Sequence, residues 1–109
     1  MQLKVYGVAL EAVRRVGPLA QRVGRVDKDL ARQLRRASAS VALNLAEGET
    51  AIGGNRRARF DSAIGSARES IACLEVAEAL GYLDARDIAG AADRMDQVIA
   101  TLHRLARRG

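Results

Sequence analysis

At 109 residues the chain is the size of one domain and can bury a core without disulfides or metals, and 49% apolar side chains exclude disorder. One cysteine and one histidine exclude an internal disulfide, a multi-cysteine zinc site and a His-rich metal site, and no apolar run approaches the roughly 18 residues that a membrane span needs. The formal charge is +5, and aromatic residues make up only 3%, so a polyanion is a natural partner while stacking of single-stranded bases is not.

The apolar content is mostly Ala, Leu, Val and Ile, with a single proline, which is the palette of packed helices. The first helix is predicted over 5–23. Val5, Val8 or Ala9, Ala12 or Val13, Val16, Leu19 or Ala20, and Val23 mark one apolar face, with Arg14, Arg15, Arg22 and Arg25 off it. Gly17-Pro18 interrupts this pattern without shifting its phase. The expectation is a kinked helix that resumes, with two short helices as the alternative. The N-terminal stretch carries Lys4 and Glu11 and no small-residue cleavage site after an apolar core, so no signal peptide is read there and a cytoplasmic location is expected.

Residues 24–29 form the first turn, where Asp27 or Asp29 can cap the second helix. That helix contains the most informative stretch, residues 33–48. Leu34, Val41 and Leu45 make an apolar stripe. Ala39, Ala42 and Ala46 make a second stripe of small side chains, read as a close helix contact. Arg32, Arg35 and Arg36 crowd the N-terminal half. Asn44 is read as a buried amide with its hydrogen bonds satisfied, and Glu47 as an ion-pair partner of Arg35, Arg36 or a neighbouring subunit. Glu47-Gly48 is expected to end the helix. Residues 48–55, GETAIGGN, are then the longest and most flexible break, with Asn55 as N-cap of the third helix.

The third helix is predicted over 56–80. Phe60, Ile64, Ala67, Ile71, Leu74 and Ala77 form its main stripe, widened by Cys73, Val76 and Leu80. Gly81 stops it, Tyr82 and Leu83 tuck under the turn, and Asp84 caps the fourth helix. The last helix has the clearest pattern, through Ile88, Ala91 or Ala92, Met95, Val98 or Ile99, Leu102 and Leu105. It ends in His103, Arg104, Arg107 and Arg108, cations suited to a negative helix end. Four helices joined by short connections give an all-α, antiparallel up-down-up-down four-helix bundle, a single domain over residues 1–109.

Three runs, Gln33-Leu34-Arg35-Arg36-Ala37, Asn44-Leu45-Ala46-Glu47-Gly48 and Ala79-Leu80-Gly81-Tyr82-Leu83, resemble a known family. It comprises the small four-helix-bundle proteins encoded within intervening sequences of bacterial 23S ribosomal RNA genes, to which the accessory variability proteins of diversity-generating retroelements are related. The resemblance covers nearly the whole chain. It implies an antiparallel bundle that assembles into a homo-oligomer, a ring of five. It also implies RNA or DNA as ligand and no catalytic activity, with a reverse transcriptase or another nucleic-acid enzyme as a further candidate partner. The sequence departs from the family at Ala42, where many members carry proline, and Tyr6 is its only early aromatic.

The charge is unevenly spread. Residues 1–60 hold 12 basic and 5 acidic groups, and residues 61–100 hold 3 basic and 8 acidic ones. Arg14, Arg15, Arg22, Arg25, Arg35 and Arg36 on the first two helices are the candidate phosphate contacts. Arg56 and Arg57 at the start of the third join them, because positive charge there opposes the helix dipole and calls for an anionic partner. The same asymmetry also suits head-to-tail contact between copies. No nucleophile, base and orienting acid come together in the sequence. GETAIGG lacks the Lys-Ser/Thr of a phosphate-binding loop, and no Glu-x-x-His pair supports a di-iron bundle. Cys73 reads as a small core residue. No enzyme, cofactor or metal is therefore expected. The expectation is an accessory or scaffold protein that binds RNA or DNA through arginine. The alternative is a protein-interaction module with no nucleic-acid role.

Overall fold

The computed structural model describes residues 3–108, with side chains described for residues 3–106. Four helices follow one another: α1 (Lys4–Gly24), α2 (Lys28–Thr50), α3 (Gly53–Ala79) and α4 (Ala85–Arg108). Each packs on its two neighbours, α1 on α2, α2 on α3, α3 on α4 and α4 back on α1. The result is the expected antiparallel all-α bundle, a rod of 43 × 21 × 20 Å. Arg107 and Arg108, expected as helix-end cations, have side chains outside the described residues.

The core follows the helical period. Leu34, Val41 and Leu45 from α2 meet Val16 and Val23 from α1, Leu74 from α3 and Met95, Val98 and Leu102 from α4, all fully buried. Pro18 lies on the solvent side of α1, and the helix runs through it unbroken. The N–H that proline lacks would have met the Arg14 carbonyl, and a single continuous helix replaces the two-helix alternative.

Three predicted helix ends, the starts of α2 and α4 and the stop of α3, are held as expected. Asp27 caps α2 by accepting from the Leu30 N–H at 3.0 Å. Asp84 and Asp87 cap α4 reciprocally: Asp84 accepts from the Asp87 N–H at 2.8 Å, and Asp87 from the Asp84 N–H at 2.9 Å. Gly81 adopts φ +80°. It lets the Tyr82 N–H reach the Ala77 carbonyl and its own N–H reach the Glu78 carbonyl, both at 2.9 Å, the two bonds of a left-handed helix stop.

The connection between α2 and α3 differs from expectation. α2 continues to Thr50, and α3 begins at Gly53 with Ile52 at its N-cap and no side-chain cap. The long break shrinks to Ala51-Ile52, and Asn55 lies inside α3. Gly48 is not a helix stop: it is buried where α2 and α3 come closest. A Cβ placed on it would lie 2.6 Å from Phe60 Cε1, so glycine is required by proximity and the helix is free to continue. Gly53, at φ +61°, makes the turn instead.

The small-residue stripe also divides. Ala42 is buried, while Ala39 and Ala46 are exposed. Close approach of α2 to α3 runs through serines: Ser66 Oγ donates to Ser40 Oγ at 2.9 Å, and Ser38 and Ser70 are buried and bonded to the Arg35 and Ser66 carbonyls. Ala42→Leu is expected to overpack this core and cost roughly 1–2 kcal/mol, read as a lower midpoint in a urea melt, and an unmoved midpoint would show spare volume beside Ala42. On α3, Val76 and Leu80 face water rather than widening the core.

Arg22 reaches across to α4 and grips Asp87 with two nitrogens, at 3.0 and 3.1 Å. This bond, then the Asp84 N–H, holds the Asp87 carboxyl below the usual carboxylate range. A lowered folded value means that the contribution is complete above about pH 4, where the unfolded group is already ionised, and is lost as pH falls through the folded value. Thermal melts between pH 6 and pH 2 are expected to show a smaller loss for Asp87→Asn than for the parent, and parallel curves would refute the linkage.

Candidate nucleic-acid interface

α1 ends and α2 begins at a tight turn, and the two helices stay close beyond it. Gly24 makes this possible, since a Cβ there would sit 3.4 Å from the Ala31 Cβ. Gly24, Ala31 and Gln21 form the floor of a shallow open groove of about 660 Å³. Its rim is cationic throughout: Arg25, Lys28, Arg32, Arg35 and Arg36. On α2 the spacing 28, 32, 35 and 36 keeps successive cations on one side of the helix over about 12 Å of axis.

Among the described residues, none of these five cations is in an ion pair. Two acids flank Lys28 in sequence. The exposed Asp29 is in no ion pair among the described residues, and Asp27 is committed elsewhere, accepting from the Leu30 N–H and from the Tyr82 hydroxyl at 3.2 Å. Burial and that bond push the Tyr82 phenol up, and the bond ties the groove's turn to the α3–α4 turn.

The eight arginines expected to contact phosphate fall into three groups. Arg25, Arg35 and Arg36 line the groove. Arg14 and Arg15 pair with Glu11 at 3.4 and 3.3 Å. Arg15 also lies over Gly90 of α4, and Arg22 is held by Asp87, so Arg15 and Arg22 belong to the α1–α4 side. Arg56 and Arg57 line a separate cleft of about 400 Å³ between the start of α3 and the end of α4, where the Arg56 guanidinium stacks 5.1 Å over the Phe60 ring. Lys28 and Arg32 complete the groove and were not among the expected contacts, although their helical spacing with Arg35 and Arg36, three and four residues on from Arg32, was visible in the sequence.

Asn44 is half-buried and donates to the Ser40 carbonyl and hydroxyl at 2.9 and 3.0 Å, a structural role as expected. Glu47 pairs with Arg59 of α3 at 3.2 Å rather than with Arg35 or Arg36. His103 is exposed near the end of α4, with its Nε2 3.2 Å from Arg68 Nη2 of α3. Cys73 is buried, and desolvation, then the Glu69 charge, raises its thiol pKa, which keeps it an unreactive core residue. Among the described residues no cluster of acids, His and Cys is placed to hold a metal, and no helix is long and apolar enough to cross a membrane.

The family model of the 23S rRNA-intervening sequence protein matches residues 1–104. The chain belongs to that family. A solved structure shares the intervening-sequence fold: a protein of unknown function from the S23 ribosomal protein family of Bacteroides thetaiotaomicron. It superposes with a TM-score of 0.85 over 93% of this chain and 96% of that one, at 19% identity. At that identity the likeness speaks for the bundle alone. No curated protein matches the chain. Within this family member the groove is therefore read from its own geometry.

Proposed function

We propose that this family member is a non-enzymatic, homo-oligomeric accessory or scaffold protein of the cytoplasm that binds the backbone of RNA or DNA through the α1–α2 groove. One observation carries the reading: five cations converge on one concave surface and, among the described residues, none of them is in an ion pair. Such a surface attracts a polyanion and gains free energy by releasing the counterions condensed on it. Arginine supplies four of the five cations, and its planar fork suits phosphate oxygens. No aromatic side chain lines the groove, so recognition is backbone-led, tolerant of sequence and suited to duplex or structured nucleic acid. The family's name ties it to an intervening sequence of 23S rRNA, which supports an RNA-related role. The resemblance noted above supports a ring of five as the assembled state, with a nucleic-acid enzyme as a further partner.

The test is binding of a structured RNA and of a DNA duplex across a salt series, with particle mass recorded on the same samples. If all five cations engage phosphate, log K falls against log salt with a slope of about −4.5 on B-form DNA. Absence of binding at low salt would remove the reading.

A further inference from the structure

The cleft between the start of α3 and the end of α4 differs from the groove in chemistry. The groove is a shallow surface with a cationic rim. The cleft has two dissimilar walls: Arg56 and Arg57 stand on the α3 side, and Leu105 and Ala106 of α4 form the other. The buried Phe60 lines it as well. A contact made by charge alone has no use for an apolar wall. A purely apolar ligand would leave two guanidinia without a counter-charge.

Charge and shape together select the occupant. Among the described residues neither Arg56 nor Arg57 is in an ion pair, and the nearby Glu47 is taken by Arg59. The two cations repel each other and oppose the dipole of the helix they begin. A carboxylate would answer one of them, whereas a terminal phosphate carries close to two charges at neutral pH. The Arg56 guanidinium lies 5.1 Å over the Phe60 ring. One face of this planar group is thereby covered, and the other is left for a second planar group. Arg57 is exposed, with its fork available to phosphate oxygens. The entrance is open: Gly54 lines it without a side chain, and a Cβ there would meet nothing within 4 Å. A cleft of about 400 Å³ holds one small molecule and is larger than a single six-membered ring requires.

We propose that this cleft binds a nucleotide with a terminal phosphate, either a free mononucleotide or the 5′ end of a strand. The base lies on the Arg56 guanidinium and against Leu105, and Arg57 holds the phosphate oxygens. The cleft shares no residue with the groove. It also lies at the other end of α2, where that helix passes into α3. The proposal therefore goes beyond the backbone reading and stands or falls apart from it.

Titration of the full chain with adenosine 5′-monophosphate tests the site, by calorimetry and by the NMR signals of Phe60, the sole phenylalanine of the chain. The expected result is saturable binding that moves those ring signals. Adenosine, ribose 5-phosphate, phenyl phosphate and inorganic phosphate should each bind at least about tenfold more weakly, since each lacks part of what the cleft contacts. Arg57→Gln removes the phosphate contact, and Gly54→Leu fills the entrance while keeping both arginines. Both positions are exposed, so far-UV circular dichroism should show parental helicity, and each change should weaken binding by at least about tenfold. Absence of binding, equal binding of any one of the four fragments, or unchanged affinity in either folded variant overturns the proposal. A short single-stranded RNA with and without a 5′-phosphate separates the two sources, in protein carrying Arg25→Glu and Arg35→Glu so that the groove is silent. A preference of about tenfold for the phosphorylated end assigns the cleft to strand ends, and equal affinity assigns it to the free nucleotide. The salt series on the parent decides the groove reading independently.

Discussion

Arg25→Glu combined with Arg35→Glu is expected to weaken nucleic-acid binding by at least about 50-fold near 0.1 M salt and to reduce the salt slope by about two units. The reason is local. Both side chains are exposed on the groove rim and in no ion pair, so each is free to displace a counterion from phosphate, and each contact so lost is worth nearly a factor of ten at that salt. Reversal also adds repulsion, which makes the figure a lower bound. Neither side chain packs in the core, so the melting temperature should stay within error. The control is the same reversal at Arg14 and Arg15, which carry equal formal charge but are tied to Glu11, with Arg15 lying over Gly90 of α4. Their reversal should move affinity by less than about fivefold. Equal losses from the two pairs would mean that binding follows net charge rather than the groove, and the site assignment would fail.

Gly48→Val is expected to destabilise the bundle by roughly 3 kcal/mol, a shift of well over 10 °C in Tm for a domain of this size. Gly48 sits inside the last turns of α2 with the Phe60 ring against its Cα, and an added Cβ would meet two ring carbons at 2.6 and 2.9 Å. Phe60 is itself buried under the stacked Arg56, so the ring must shift within a packed core. Gly48→Ala decides the sign. Helix propensity alone makes alanine better than glycine by about 1 kcal/mol in a helix interior. The contact with Phe60 makes it worse, and the expected net result is a lower Tm. A Tm that rises would show that Phe60 yields easily and that Gly48 is a matter of propensity rather than of space.

The behaviour of Gly48 shows how local and distant information divide in this chain. Read along the sequence, a glycine after Asn44-Leu45-Ala46-Glu47 and before a second pair of glycines is a helix stop. The structure places it beside a residue 12 positions later, and only that neighbour explains it. The same holds for the arginines. Arg22 looks like a free cation until the fold brings Asp87, 65 residues away, within 3.0 Å. Arg56 and Arg57 lie at the opposite end of α3 from the α3–α4 turn, which Tyr82 joins to the head of the groove.

What the sequence determined by itself is whatever depends on neighbours within about one helical turn. Four apolar stripes at helical spacing set four helices. Asp27 and Asp84 set two starts and Gly81 one end, because caps and left-handed stops are made by residues two to five positions apart. Short connections then made the bundle antiparallel. Tertiary structure decided which cations of different helices stand together. Side chains on different helices share a surface only after packing has chosen which faces turn inward, and that choice brought Arg25 beside the cations of α2 while removing Arg22 to Asp87 and turning Arg15 over Gly90. It also decided that Ala39 and Ala46 face outward while Ala42 is buried. A small side chain suits the core and the surface alike, and only the position of the neighbouring helix distinguishes them.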